Sequence, residues 1–471
     1  MQKGYEVSQE EMDKQNEYIN KVNVLLRKRY PTKILMAYVH SFGCQQNVSD
    51  GEKIKGMLAL MGYGFSDTSE NADLVLYNTC AVRENAQDRI YGNIGRLKTQ
   101  KEQNPNMVIG LCGCMIQQEH IAQKIIKSYR QVDLVFGTHV LHQFPELLYK
   151  TLSTHKCVLD ISDIKEDIAE NMPIKRDGKI KAWVPIMYGC NNFCTYCVVP
   201  LVRGREKSRE PQKIIEEVEK LVKQGYKEIT LLGQNVNSYG VGLQNPIDFS
   251  TLLKKVNDIE GEFFIRFMSS HPKDASKKLI DTMSECEKVC HHFHLPVQSG
   301  SNEVLEQMNR KYTVEEYMAL VDYAREKMPN ISFTSDIIIG FPTETHEDVL
   351  KTIDLIKKVK FDALFTFIYS PRVGTKAALM ESVSTQKERS EWFSELLNEQ
   401  RKIGKEVLKT YEGKTVRVLA DSLSKVRDGY IAGRTDGYIM VDFLASESVI
   451  GQFVNIKITE ARSSALIGEI I

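Results

Sequence analysis

From Trp183 to Ser370 the chain carries six short apolar runs, four of them followed within that span by a longer stretch with helical spacing. The candidate strands are VPIMYG (184–189), EITLLGQ (228–234), FFIRFMS (263–269), HHFHLPV (291–297), ISFTSDIIIG (331–340) and ALFTFIYS (363–370). Amphipathic spacing fills 211–225, 272–285, 313–328 and 346–359. Strands that alternate with helices form parallel sheets, because a parallel connection must cross over the sheet and a helix is the usual crossover. Six such strands in about 190 residues predict a partial or full parallel barrel rather than an open nucleotide-binding sheet.

The same alternation appears earlier, over residues 33–150, with the runs ILMAYVH (34–40), DLVLYN (73–78), MVIGLC (107–112) and VDLVFG (132–137). This block predicts a separate parallel α/β sheet. Residues 1–32 read as a polar helical lead-in, and 151–181, charged and broken by Pro and Gly, as a linker. The barrel domain spans 182–409 and ends in an amphipathic helix over roughly 386–410. Residues 410–471 show short alternating strands between Gly and Asp turns, the pattern of a small all-β barrel. The expected fold class is α/β, with a partial (β/α)6 barrel at the centre and a β-barrel at the end.

Composition narrows the function classes only a little. Lys and Arg number 62 and so do Asp and Glu, so overall charge neither predicts a polyanion partner nor excludes one. In residues 411–471, seven basic residues face eight acidic ones, so charge does not mark the small barrel as an RNA binder either. No run approaches the ~20 apolar residues of a membrane span, and the N-terminus lacks an apolar signal core. Ten cysteines without such a leader fit a reducing cytoplasm, where thiols more often serve metals or catalysis than disulfides. The expected location is cytoplasmic, away from membranes.

Cys190, Cys194 and Cys197 stand in MYGCNNFCTYCVVPLVRGR with the spacing C-x3-C-x2-C. Thiolates are the usual ligands of iron–sulfur clusters, and a four-iron cube normally takes four. Three leave one iron open to a small chelator with a free amino and carboxylate group, such as the methionine end of S-adenosylmethionine. Electron transfer through such a cluster would then cleave the sulfonium, chemistry that belongs to the cofactor. A zinc site is the competing reading, but it wants four closed ligands and usually paired C-x2-C spacing.

A second set, Cys44, Cys80 and Cys114, is spread too widely for a local metal loop. Each follows an apolar run, in HSFGC, YNTC and LCGC. The carboxyl ends of parallel strands lie along one sheet edge, where ligands gather, so these thiols can converge there. Three ordinary buried cysteines are the alternative. Gly43, Gly113 and the polar Gln45, Gln46, Asn47 and Asn78 favour a loop site. Cys112 alternates with Cys114 and should face the other way along a strand, which favours Cys114 as third ligand. Cys157, Cys286 and Cys290 read as structural, and HHFHLPV as a strand rather than a metal cluster.

The segments SFGCQQN, NTCAVREN, GLCGCM and FGTHV resemble the amino-terminal domain of methylthiotransferases, a family within the radical S-adenosylmethionine superfamily. The C-x3-C-x2-C loop resembles their radical domain, and residues 410–471 their TRAM barrel, an RNA-binding module. NTCAVRENA, LLGQNVNSYG and HLPVQSGSNEVLEQMNRKYT look like the tRNA-modifying branch. The sequence departs from it at SFGCQQN, where TFGCQMN is commoner, and at GCMIQ, where GCMAQ is commoner. The resemblance covers residues 34–471. It implies two [4Fe-4S] clusters, one on Cys190, Cys194 and Cys197 and an auxiliary one on Cys44, Cys80 and Cys114. It further implies sulfur insertion and methylation at C2 of a dimethylallylated adenosine, position 37 of the tRNA anticodon loop. An electron donor such as flavodoxin or ferredoxin would be a partner, and the sulfur source is left open. Relatives acting on threonylcarbamoyladenosine or on a ribosomal-protein aspartate, and a non-catalytic iron–sulfur RNA-binding module, are the alternative readings.

Functional groups of a parallel barrel gather on the loops after its strands. That places Tyr196, Gly233, Gln234, Asn235, Ser270, His271 and Gln298 as candidate S-adenosylmethionine contacts. Ser299 and Gly340-Phe341-Pro342 stand likewise. Arg203, Arg205, Lys207 and Arg209 form a basic run that reads as a solvated face or as an RNA phosphate contact.

Overall fold

A computed structural model describes residues 6–81, 84–162 and 168–471. The chain divides into two compact units. The first comprises residues up to Gly178 together with Tyr188–Asn191 and Cys197–Lys207. The second comprises Lys179–Met187, Asn192–Tyr196 and Ser208–Ile471.

In the first unit six strands form one parallel sheet: β1 (Met36–Ser41), β2 (Gly64–Phe65), β3 (Leu74–Thr79), β4 (Val108–Gly113), β5 (Leu134–Phe136) and β6 (Val158–Asp160), in the order β2-β1-β3-β4-β5-β6. β3 and β4 are buried along their whole length, as expected of strands covered on both faces. Leu74 and Leu76 enter a core with Ile54, Met57 and Leu148, from helices α2 (Gln45–Leu60) and α5 (Phe144–Thr154). Val75 and Tyr77 face Ile90, Ile94, Ile121 and Ile125, from α3 (Glu84–Gln103) and α4 (Glu119–Ser128). Strand order reverses between β1 and β3, so the crevice at their carboxyl ends is where a ligand belongs in such a sheet.

The helical lead-in is α1 (Gln9–Arg29), capped by Ser8, and it buries Ile19, Val22 and Leu26 in the α2/α5 core. One sequence expectation needs correction here: the linker is shorter than 151–181. Its first residues end α5, and Val158–Asp160 pairs with β5 as the sixth strand, while 163–167 lie outside the described residues. Three residues in charged surroundings carry too little periodicity to read as a strand.

The second unit holds six strands where the apolar runs from Trp183 onward place them, except that the first is Lys181–Pro185, three residues earlier at its start than VPIMYG (184–189). β7 (Lys181–Pro185), β8 (Glu228–Leu232) and β9 (Phe264–Phe267) form one parallel sheet, and β10 (His292–His294), β11 (Ser332–Ile339) and β12 (Ala363–Ile368) another. A parallel bridge between Ile265 and Val289 joins them into one six-strand partial barrel. Side chains such as Ile229, Phe293, Phe333 and Ile337 pack outward against the helices. Three of these helices begin with a reciprocal capping box, at Thr313/Glu316, Thr345/Asp348 and Thr385/Glu388.

Residues 415–470 close a five-stranded barrel, β13 (Thr415–Leu423), β14 (Tyr430–Thr435), β15 (Met440–Leu444), β16 (Phe453–Ala461) and β17 (Leu466–Ile470). It is fixed to the parallel strands by Arg266 of β9. That side chain pairs with Glu228 at 2.8 Å and donates to the carbonyls of Thr435 and Asp436. Among the described residues no helix is long and apolar enough to cross a membrane.

Candidate metal and cofactor centres

In the first unit Cys44, Cys80 and Cys114 follow β1, β3 and β4 and meet at the strand-order reversal. Cys44 is the N-cap residue of α2. Burial pushes its thiol above the usual range, and the neighbouring Cys80 pushes it further. Cys114 is driven to about 12 by burial, with Cys44 and Cys80 again adding to the rise. The three therefore share one electrostatic environment. Gly43 lets them approach: it stands at φ +108°, and a Cβ there would lie 2.3 Å from Cys80 Cβ and 2.7 Å from its Sγ.

Asn47 is the hub. Its Nδ2 donates to the carbonyls of Phe42 at 3.1 Å and Thr79 at 2.9 Å, which ties the ends of β1 and β3 together. Its Oδ1 accepts from Arg203 at 3.1 Å and lies 3.6 Å from Cys44 Sγ and 3.7 Å from Cys114 Sγ. Arg203 also donates to Cys114 Sγ at 3.1 Å and pairs with Asp50 at 2.7 Å. Burial opposes its charge, but Asp50, Cys114 and Cys44 hold the guanidinium protonated.

This geometry corrects the reading of the basic run. Arg203 is buried, with its guanidinium on Asp50 and a thiol, so it does not face RNA phosphates. Arg209 is buried too, bonded to the Pro185 carbonyl at 2.6 Å and to Glu217 at 2.9 Å. Lys207 is buried, and Arg205 alone of the four is exposed. Cys112, as expected, faces the α2/α5 core instead of the thiol group. Cys286 and Cys290 are buried and Cys157 is exposed.

Among the described residues no three His, Cys, Asp or Glu side chains form a group that holds a single metal ion. The donor set at Cys44, Cys80 and Cys114 nonetheless fits a multi-iron cluster. Three thiols brought from the ends of three strands to one place are the donor type an iron–sulfur cluster takes, and the irons would hold them as thiolates.

The cysteine loop spans both units: Cys190 and Cys197 fall in the first and Cys194 in the second. In the first unit Gly189 stands at φ +74°, and a Cβ there would lie 2.0 Å from the Arg205 carbonyl oxygen. In the second unit Arg310 is buried, with Nη1 3.4 Å from both Cys194 Sγ and the Tyr196 hydroxyl. Its Nε bonds the Tyr312 hydroxyl at 3.0 Å, and its Nη2 the Pro296 carbonyl at 2.8 Å. Tyr196 packs with Val304, Met308, Phe341 and Ala377.

The strand-end residues named from sequence share one property. Gln234 Oε1, Asn235 Oδ1, Ser270 Oγ, His271 Nε2 and Gln298 Oε1 are all buried without a hydrogen-bond partner. Buried polar atoms are rarely left so, and these stand on loops after barrel strands, where ligands of parallel barrels bind. His271 is held neutral, its value lowered to about 2 by burial and by Arg310 and Lys273. Gln298 adopts φ +73°, a left-handed conformation that costs a non-glycine residue energy and gathers at ligand sites. At Gly233 a Cβ would lie 2.5 Å from Met187 Cγ, so a larger residue would disturb the loop. Sequence reasoning missed Arg310 and the true setting of Arg203, since nothing local marks a cation as buried.

Family models match the chain in three places: the radical SAM superfamily at 184–356, the uncharacterized protein family UPF0004 at 36–137, and the TRAM domain at 409–471. Fold and sites together define a radical S-adenosylmethionine enzyme with an additional parallel-sheet domain and a TRAM barrel. A curated relative from Acetivibrio thermocellus is 50% identical over 467 residues, covering 99% of this chain and 97% of the relative. One from Clostridioides difficile is 46% identical over 463 residues, covering 98% and 97%. Both are named tRNA-2-methylthio-N(6)-dimethylallyladenosine synthase, and the chain belongs to that family. Among solved structures, the radical S-adenosylmethionine methyltransferase TsrM from Kitasatospora setae is similar at TM-score 0.52. It shares 13% identity over 74% of this chain and 77% of TsrM, a likeness of fold alone.

Proposed function

We propose that this enzyme converts N6-dimethylallyladenosine at position 37 of tRNA to its 2-methylthio derivative, using two [4Fe-4S] clusters and S-adenosylmethionine. One observation carries the two-cluster reading: thiols 36 and 34 residues apart meet at a single strand edge, in addition to the three of the C-x3-C-x2-C loop. Cys190, Cys194 and Cys197 would hold one cluster, and Cys44, Cys80 and Cys114 the other. When bound, these groups and S-adenosylmethionine supply the one-electron chemistry, the sulfur and the methyl group that an unactivated C2–H bond demands.

The protein's part is placement and charge. Asn47 and Arg203 fix the ends of β1, β3 and β4 so that the three thiols keep their mutual positions. Arg310 ties Cys194 to Tyr196 and offsets negative charge at the loop. The unpartnered atoms of Gln234, Asn235, Ser270, His271 and Gln298 bind the polar groups of S-adenosylmethionine. His271, kept neutral, acts there as a hydrogen-bonding group and not as a cation. Electrons come from a small carrier of the flavodoxin or ferredoxin class. The TRAM barrel contributes RNA binding, and a splayed anticodon-loop base suits the general way enzymes reach single-stranded RNA.

The test is anaerobic reconstitution with S-adenosylmethionine, reductant, sulfide and dimethylallylated tRNA, followed by nucleoside mass spectrometry. A 2-methylthio product on adenosine 37, with 5′-deoxyadenosine released, is expected. Product on threonylcarbamoyladenosine or on a protein aspartate instead would replace this reading.

A further inference from the structure

The inner face of the partial barrel carries an apolar strip that the centres above leave unused. Along β11, Phe333, Ile337 and Ile339 enter the helix-side core, so Thr334, Asp336 and Ile338 point to the opposite, inner face. On β12, Leu364 packs against that same core, which turns Phe365 and Phe367 inward. The register sets Phe365 beside Asp336 and Phe367 beside Ile338. Phe365 is 43% exposed and Phe367 41%. Two neighbouring open rings inside a parallel barrel are unusual, because strands of such sheets are covered on both faces. Contiguous exposed apolar surface of this kind marks a binding site.

The surroundings say what kind of ligand fits. Ile338, next to Phe367, belongs to the cluster that contains Tyr196, the residue preceding Cys197. The strip therefore borders the cysteine loop on the second unit's side. Beside Phe365 the rim is polar: the His294 ring meets it edge-on at 5.7 Å between centroids, and His294 Nε2 lies 3.8 Å from Asp336 Oδ2. An apolar floor with a polar border, on an inner wall, suits a planar base carrying a short hydrocarbon chain. The substrate in the family's name carries such a chain, the five-carbon dimethylallyl group on N6.

We infer that Phe365, Phe367 and Ile338 receive the dimethylallyl group and make the enzyme prefer prenylated over unprenylated RNA, an inference that rests on the substrate proposed above. A hydrocarbon chain offers no hydrogen bonds, so its recognition has to come from apolar contact area. His294 and Asp336 would line the edge toward the base.

The experiment measures binding of two anticodon stem-loop RNAs, identical except for the dimethylallyl group, to the reconstituted enzyme with S-adenosylmethionine present. The wild type is expected to prefer the prenylated RNA. Phe365→Ala and Phe367→Ala should each reduce that preference about tenfold, and leave the affinity for the unprenylated RNA within about twofold. Phe367→Leu should restore most of the preference. Both rings are open to solvent, so iron content and far-ultraviolet circular dichroism should match the wild type. A preference unchanged in both alanine variants, or an equal loss for the two RNAs, overturns the inference. These outcomes are separable from failure of the functional reading, in which the wild type makes no 2-methylthio product from the prenylated RNA at all.

Discussion

A single amide, Asn47, holds the ends of two strands and touches the thiols of two cysteines and one guanidinium. Asn47→Ala removes both donors to the carbonyls of Phe42 and Thr79 and the acceptor for Arg203. Losing buried hydrogen bonds costs about 1–3 kcal/mol for each group left unsatisfied. A loss of about 2–4 kcal/mol in urea unfolding is expected, together with reduced iron retention in the first unit while the C-x3-C-x2-C cluster stays loaded. Unchanged stability would mean that the strand ends are held without it. A second residue-scale effect involves Glu344, just after β11. Burial raises its carboxyl from 4.5 to about 8, although the backbone N–H groups of Gly340 and Phe341 pull the other way. Its folded value therefore exceeds its unfolded one. The stability it contributes is full below the unfolded value and fades as pH rises through about 8. Glu344→Gln keeps an acceptor for the Gly340 N–H but cannot ionise. The melting temperature of the variant should overtake that of the wild type as pH rises from about 5 to 9, and parallel curves would contradict the shift.

At the scale of elements, what could be read from the sequence follows from how far each signal reaches. Strand–helix alternation is local, so β1, β3, β4 and β5 and five of the barrel strands were legible from their apolar runs, while the first, Lys181–Pro185, begins three residues before its run. The meeting of Cys44, Cys80 and Cys114 was legible once the sheet was taken as parallel, because strand ends share an edge. The setting of Arg203 was not, since its carboxylate partner Asp50 lies 153 residues away, and a cation with no local partner reads as surface. Arg310 escaped for the same reason, with Cys194 116 residues distant. Helix α1 shows the limit from the other side. Its helical character was evident, but the stripe of Ile19, Val22 and Leu26 is too sparse in a polar sequence to reveal that it closes a core. The structure predicts that Leu26→Ala costs about 2–4 kcal/mol in denaturant unfolding, as for other buried leucines. An effect below about 0.5 kcal/mol, typical of surface positions, would mean that the helix does not close this core.

At the scale of the whole molecule, three folds divide the labour by what each can hold still. A parallel sheet gathers residues distant in sequence along one edge, which suits thiols that have to be placed by the fold. The cysteine loop instead places its thiols by local spacing. The small closed barrel is held to the parallel strands by Arg266, whose charge is balanced by Glu228 and whose remaining donors meet the Thr435 and Asp436 carbonyls. If the two thiol sets are independent centres, their metal content separates cleanly. Anaerobically reconstituted wild type should carry about eight irons per chain, and the triple change of Cys190, Cys194 and Cys197 to Ala about four. Changing Cys44, Cys80 and Cys114 to Ala should also leave about four, but those four should still support release of 5′-deoxyadenosine from S-adenosylmethionine. The complementary variant should retain its irons and release none. That asymmetry is the stronger test, because iron counts alone would not distinguish two equivalent clusters from two with different tasks. Loss of all iron in either variant, or zinc in place of iron, would mean that the six thiols do not form two separate iron centres.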